Sequence, residues 1–329
     1  MKKFLEKYSE YKSKIDERVN SLVVEKEPKS LYDPVNYILS GGGKRIRPII
    51  LLFACESVGG NIEDALDAGA AIEVLHNFTL VHDDIMDNAD TRRGNETVHK
   101  KWNVNTAILA GDNLIAIAYK SLLRTKVLGI EKIVKEFTEG VVEVCEGQSY
   151  DKDFELENDV TIDKYLMMIQ KKTAKLIEVS AVMGAIIGGG SEQQIHNIRE
   201  FAVNSGLAFQ IQDDLLDIIA DEKEFGKKIG GDLIEGKKTY LLLKSLEVVD
   251  KKEDRERIEL IVENSGIKDN QKEEIQRIKK IYLDYGVIDS AKKAVESFTL
   301  KADECIKDFD PKHQELLKGF SQMLLERNS

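Results

Sequence analysis

Two short acidic segments are the part of this chain most able to do chemistry. One is His82-Asp83-Asp84-Ile85-Met86-Asp87, the other Gln212-Asp213-Asp214-Leu215-Leu216-Asp217. In each, two adjacent acids are followed by two apolar residues and a third acid, at the C-terminal end of an apolar stretch with helical spacing. At about 100° per residue, Asp83, Asp84 and Asp87 fall on one helix face, with His76, Thr79 and Leu80 one to two turns earlier. Asp213, Asp214 and Asp217 likewise share a face with Gln210. Carboxylates so placed repel one another by roughly a few tenths of a kcal/mol per pair, and they meet the negative end of the helix dipole. Bound cations would compensate. Magnesium suits the task, because it takes oxygen ligands, keeps several waters, and binds one or two carboxylates together with substrate phosphates. A single such segment reads first as a solvated acidic helix end. Two matched copies, facing each other, would hold a magnesium-bridged diphosphate.

Basic clusters answer the acidic ones. Gly41-Gly42-Gly43-Lys44-Arg45-Ile46-Arg47-Pro48 sets three cations after a glycine turn, where the backbone can approach an anion and a helix N-terminus favours negative charge. Arg92-Arg93-Gly94 follows the first acidic segment, and arginine grips phosphate oxygens with a bidentate fork. After the second segment comes Phe225-Gly226-Lys227-Lys228-Ile229-Gly230-Gly231-Asp232-Leu233-Ile234-Glu235-Gly236-Lys237-Lys238-Thr239, whose four glycines and four lysines suggest a mobile lid over an anion. An ordinary exposed loop is the other reading. Lys171-Lys172-Thr173 interrupts an apolar helix, so its lysines either snorkel to the surface or line a cavity. No Walker loop, dinucleotide glycine fingerprint or Ser/His/Asp triad is present.

These segments need a scaffold, and the prolines indicate which kind. No proline lies between Pro48 and Pro311, and a proline inside a helix costs roughly 3 kcal/mol. Strand alternation is weak. Apolar spacing and breakers predict helices over 2–24, 30–40, 44–58, 62–87, 104–125, 130–148, 162–188, 191–219, 236–247, 253–263, 269–285, 287–305 and 311–326. The expected fold is therefore all-α. With no Ser/Pro-rich linker and no shift in composition, residues 1–329 are expected to form a single domain. The net charge of −11 argues against nucleic-acid binding. Cys55, Cys145 and Cys305 read as reduced thiols. The N-terminus reads as an amphipathic helix rather than a signal peptide, and no apolar run reaches membrane-span length. The expected location is cytoplasmic, without an integral membrane segment.

The sequence resembles the trans-isoprenyl diphosphate synthases, in the family's order from about Tyr32 to Thr239. The matching elements are GGGKRIRP at 41–48, LHNFTLVHDDIMD at 75–87, DTRRG at 90–94, GD at 111–112, GQ at 147–148, KKT at 171–173, and FQIQDDLLD at 209–217 with its GKK lid. The resemblance implies a helical bundle around a deep central cavity, acting as a homodimer. It implies magnesium, three ions per active site, bound by Asp83, Asp84 and Asp87 and by Asp213, Asp214 and Asp217. By the same resemblance Arg92, Lys172 and Lys227 hold an allylic diphosphate (dimethylallyl, geranyl or farnesyl), with Thr173, Gln210 and Lys237 nearby. Lys44, Arg47, His76 and Arg93 hold isopentenyl diphosphate, and Arg45 neighbours them in the same motif.

The resemblance extends to product length. Phe78 and Thr79 lie five and four residues before Asp83, roughly 6–7.5 Å deeper along the helix. An aromatic only at the farther position, with no insertion in the first acidic segment, resembles the twenty-carbon type, so geranylgeranyl diphosphate is the expected product. Farnesyl diphosphate and longer chains are the alternatives, and Phe78 also reads as a plain core aromatic. Three rivals of another class remain. A terpene cyclase would normally lack the second DDxxD and the basic glycine cluster. A helical metal phosphohydrolase would leave DDLLD unexplained. A non-catalytic synthase subunit would be expected to lose one acidic segment.

Overall fold

The structure, a computed structural model, describes residues 2–22, 26–220 and 229–326. Helices account for nearly all regular structure, as the proline-free run requires. They are α1 (Lys2–Asn20), α2 (Lys29–Ser40), α3 (Ile46–Ser57), α4 (Leu66–Met86), α5 (Val98–Lys101), α6 (Val104–Leu122), α7 (Ile130–Leu156), α8 (Ile162–Ile169), α9 (Lys175–Ile187), α10 (Glu192–Ile219), α11 (Gly231–Glu235), α12 (Tyr240–Val248), α13 (Lys252–Glu263), α14 (Gln271–Asp284), α15 (Val287–Cys305) and α16 (Pro311–Leu325). A two-residue antiparallel ladder pairs Thr91–Arg92 with Asn95–Glu96. None of the described helices is long and apolar enough to cross a membrane.

The chain divides into two compact units: residues 1–138, 179–199 and 309–319 form the first, and 139–178, 200–308 and 320–329 the second. In the first unit α4 is the central helix. Ala68, Gly69, Ala70, Ala71, Ile72, Val74 and Leu75 are all buried, so every face of its first half meets protein. A helix apolar all round belongs in a core. Around it lie Phe4, Tyr11 and Ile15 of α1, Ile49–Cys55 of α3, and Ala107, Ala110 and Leu114 of α6, each fully or almost fully buried. Burying one large aliphatic or aromatic side chain contributes about 1.5–3 kcal/mol, so this layer holds α4 rigid up to the acids at its end. In the second unit a continuous core joins Tyr165, Ile211 and Leu215 to Leu241, Leu242, Ile258, Ile278 and Tyr282.

Several elements depart from the sequence expectation. The helix expected over 162–188 is interrupted at Gln170–Ala174 by a π turn. The helix expected over 130–148 continues to Leu156. The one expected from 236 starts at Tyr240, because the Thr239 hydroxyl caps it by accepting from the Leu242 amide. A short helix, Gly231–Glu235, occupies part of the glycine-rich loop. Residue 62 opens a 3-10 turn, with α4 proper beginning at Leu66.

Tight backbone contact fixes α9 on α3 within the first unit. A Cβ at Gly184 would lie 2.0 Å from the Leu51 carbonyl oxygen. Gly184 is helical, so alanine there should by propensity gain about 1 kcal/mol. The clash reverses that sign. Gly184→Ala is expected to lower the melting temperature through overpacking worth about 1–3 kcal/mol; an unchanged or higher Tm would show that α9 can shift at no cost.

Candidate active site

In the first unit the acids end the rigid helix. Asp83 and Asp84 lie in the last turn of α4, and Asp87 caps it, its amide donating to the Asp83 carbonyl at 2.8 Å. The three do not share one environment. Asp84 is buried, Asp83 half-buried and Asp87 exposed. Asp84 Oδ1 accepts from Arg92 Nε at 2.9 Å and from the terminal guanidinium nitrogen at 2.5 Å. Burial raises its pKa, with Arg92 opposing. Arg92 can make this contact because Arg93 (φ 53°) and Gly94 (φ 78°) form a two-residue hairpin turn that needs positive φ at both positions. Neighbouring arginines thereby diverge. Arg92 returns to Asp84, while Arg93 Nη1 donates to the Gly42 carbonyl. Gly43 has room for that guanidinium only because it lacks a side chain, since a Cβ would stand 2.9 Å from Arg93 Nη1.

Arg47 Nη1 contacts His76 Nε2 at 3.0 Å. Burial and the surrounding arginines, Arg47 first, hold the His76 pKa well below its usual value. The neutral ring therefore accepts from Arg47 at Nε2, which leaves its proton on Nδ1, 3.4 Å from Thr79 Oγ1. Arg47 is itself pulled down to about 10 by burial, and its Nε is buried with no hydrogen-bond partner. A desolvated guanidinium with an unused donor is an environment that favours an anion. Lys44 is exposed at the start of this segment. Arg45 takes a different course. In a left-handed conformation (φ 53°), it sends a buried guanidinium to Asp16 Oδ1 and Glu73 Oε1, each at 2.7 Å. Its donors are committed inside the unit, to Asp16 and Glu73.

Phe78 is buried, and its ring meets His82 edge-on at 4.7 Å between centroids. His82 in turn sits over Gly111 of α6, where a Cβ would lie 2.3 Å from Nε2. Thr79 is half-buried, and its hydroxyl donates to the His76 carbonyl at 2.8 Å.

In the second unit Gln210, Asp213, Asp214 and Asp217 run along the end of α10. Asp214 is buried and accepts from Tyr165 Oη at 2.6 Å, Gln210 Nε2 at 3.0 Å and the Tyr240 amide at 3.3 Å. Asp217 accepts from the Gly231 and Asp232 amides, both at 3.2 Å. The Gln210 oxygen accepts from the Thr173 hydroxyl at 2.9 Å. Lys172 pairs with Asp151 of α7. Lys237 pairs with Glu235 at 2.7 Å and lies 3.8 Å from Asp232. A cavity of about 220 Å³ is lined by Lys172, Thr173, Gln210, Asp213, Asp214, Asp232 and Lys237. Residues 221–228, with Lys227 and Lys228, lie outside the described residues. The described part of the expected lid is anchored: the Gly230 amide donates to the Asp217 carbonyl at 2.8 Å, and Lys238 Nζ binds the Phe154 and Glu155 carbonyls at the end of α7.

Asp232, Tyr165 and Asp151 belong to this cavity, and the sequence reading gave none of them a role. Asp232 lies in the glycine-rich loop, where the lysines carry the stronger pattern; Tyr165 and Asp151 carry no local signal. Burial, with Asp213 adding, pushes Asp214 up to about 7. Burial, with Asp214 and Asp217 adding, pushes Asp232 up to about 8. Buried carboxylates that raise one another's pKa suit a divalent cation with oxygen ligands. The donor chemistry thus fits magnesium, although among the described residues no three acidic, histidine or cysteine side chains already converge as a ligand set.

The profile of the polyprenyl synthetase family matches residues 28–282. The chain is similar to the short chain isoprenyl diphosphate synthase of Methanothermobacter thermautotrophicus, 43% identical over 258 residues that cover 77% of each. It is 44% identical over 257 residues to the geranylgeranyl diphosphate synthase of Sulfolobus acidocaldarius, again covering 77% of each. Among solved structures, the geranylgeranyl pyrophosphate synthetase from Pyrococcus horikoshii is 37% identical with a TM-score of 0.92, covering 99% of this chain and 100% of that one.

Asp214 and Asp232 bind protons more tightly folded than unfolded, where the ordinary value is 3.8. Their contribution to stability is therefore full below that value and is lost as pH rises through about 7 and about 8. Without magnesium, Tm is expected to fall between pH 5 and 8.5, and Asp232→Asn should flatten the upper part of that fall. A scan of Tm against pH in which the variant keeps the parent slope would contradict the assignment.

Proposed function

The chain belongs to the polyprenyl synthetase family and is an isoprenyl diphosphate synthase, and from that premise we propose that it condenses isopentenyl diphosphate with an allylic diphosphate to make geranylgeranyl diphosphate. The observation that carries the reading is that each unit pairs an aspartate cluster with its own cations. Asp83, Asp84 and Asp87, and Asp213, Asp214 and Asp217, are the proposed magnesium ligands, for three ions, with Asp232 added from the second-unit cavity. Magnesium held by these residues would supply positive charge to a substrate diphosphate.

The chain's own groups do the rest. Lys172, Lys227 and Lys237, with Thr173, Gln210 and Arg92, bind the allylic diphosphate and stabilise charge as its C–O bond breaks. Arg47, Arg93, Lys44 and neutral His76 bind isopentenyl diphosphate and hold its double bond for attack. The C–O bond breaks to release diphosphate and leave an allylic cation, the isopentenyl double bond then forms the new C–C bond to it, and one proton departs to the released diphosphate. No side chain is assigned as base. Arg45, turned inward to Glu73 and Asp16, positions the segment that carries Lys44 and Arg47. Phe78 is the proposed floor for the growing chain. One synthase domain and a cytoplasmic homodimer complete the proposal. In its support, α6 leaves Val104, Ile108 and Leu109 exposed at 45%, 41% and 60%, an apolar strip that a second copy would cover.

Asp83→Ala and Asp213→Ala are each expected to lower turnover at least about 10³-fold, the scale of a lost electrostatic stabiliser, with circular dichroism unchanged. Near-normal rates in both would remove the metal assignment. Incubation with magnesium, isopentenyl diphosphate and dimethylallyl, geranyl or farnesyl diphosphate should yield a twenty-carbon product by chromatography. In Phe78→Ala the product should lengthen, and an unchanged product would place the floor elsewhere.

A further inference from the structure

The π turn at Gln170–Ala174 lies in the second unit, where Lys172 and Thr173 project from it. Its wide hydrogen bond runs from the Lys175 amide to the Gln170 carbonyl, five residues back. Such turns carry one more residue than a regular helix and tend to occur where function needs them. Here two neighbouring helices meet the turn at glycines. A Cβ on Gly147 of α7 would lie 2.3 Å from the Lys172 amide nitrogen and 2.7 Å from Lys171 C. A Cβ on Gly206 of α10 would lie 2.6 Å from Ala174 Cβ and 2.7 Å from Ala174 Cα. Both glycines are within helices and neither has positive φ. Conformation does not require glycine at either position, and alanine would be the better helix former. Close approach of the turn does require it.

Each glycine is followed four residues later, on the same helix face, by the group that takes the turn's side chain. Gly147 is followed by Asp151, which holds Lys172 Nζ. Gly206 is followed by Gln210, which accepts from the Thr173 hydroxyl and donates to Asp214. We propose that the pairs Gly147/Asp151 and Gly206/Gln210 form a two-sided clamp that keeps the π turn wound wide and aims Lys172 and Thr173 into the cavity as allylic diphosphate ligands. The glycines seat the backbone, and the polar partners hold the two side chains extended. The four are positioning residues, and the inference rests on the reading of Lys172 and Thr173 as diphosphate ligands.

The test is steady-state kinetics of the full chain with magnesium, geranyl diphosphate and isopentenyl diphosphate. Gly147→Ala and Gly206→Ala should each raise KM for geranyl diphosphate at least about tenfold, the scale of a ligand group misplaced by an ångström or less, while KM for isopentenyl diphosphate stays within about twofold. Should an alanine variant fail to fold, deletion of Gln170 decides. It removes the extra residue, lets the segment continue as ordinary helix, and should give the same one-sided loss with a Tm near the parent's. The clamp is overturned if the deletion variant keeps both KM values, or if both rise together as a general structural defect would make them. Lys172→Met separates the premise from the inference. If it leaves KM for geranyl diphosphate unchanged, the ligand reading fails; if it raises that KM while Gly147→Ala and the deletion do not, the clamp alone fails.

Discussion

Negative charge gathered at the C-terminal ends of two buried helices is the constraint on which the site depends. The helix dipole disfavours anions there, and the mutual repulsion of neighbouring carboxylates adds to it. Each unit offsets this differently. The first brings Arg92 back across a two-residue hairpin onto Asp84. In the second, among the described residues, Asp214 accepts from neutral donors: Tyr165, Gln210 and a backbone amide. Neutral donors compensate less than a cation, so Asp214 stays ready to hold a proton or exchange it for metal, and burial beside Asp214 and Asp217 puts Asp232 in the same state.

The fate of the basic residues follows from the same electrostatics. Arg45 and Arg47 stand two positions apart, yet one backbone angle separates their roles. The left-handed conformation at Arg45 turns its side chain into the unit toward Asp16 and Glu73, a buried pair whose disruption typically costs about 3–5 kcal/mol. Arg47, in the first turn of α3, meets a neutral imidazole instead of an acid. Arg47, whose buried Nε has no hydrogen-bond partner, keeps a donor for a diphosphate; Arg45, whose donors go to Asp16 and Glu73, organises the loop around it.

Rigid placement comes from backbones packed closer than side chains allow. Gly111 under His82, Gly147 and Gly206 against the π turn, and Gly184 against Leu51 are all sites where a single methyl group would meet an atom at 2.0–2.6 Å. The short GD and GQ motifs thereby acquire a physical meaning. They mark the places where a neighbouring ring or backbone comes nearest.

The all-helical class was legible in the sequence, since a long proline-free run rich in helix formers, with weak alternation, favours helix over sheet. The sequence also determined the two aspartate segments and most cationic partners, because residue type and spacing of 3.6 per turn are local properties. Tertiary structure decided what spacing leaves open. It placed Asp84 inward and Asp87 outward on what the sequence treats as one face. It turned Arg45 away from Arg47, added Asp232, Tyr165 and Asp151 to the cavity of the second unit, and wound Gln170–Ala174 wide. Each of these depends on a partner remote in sequence, such as Glu73 for Arg45 or Gly147 for Lys172. No local pattern encodes such a distance, and only the packed chain brings those atoms together.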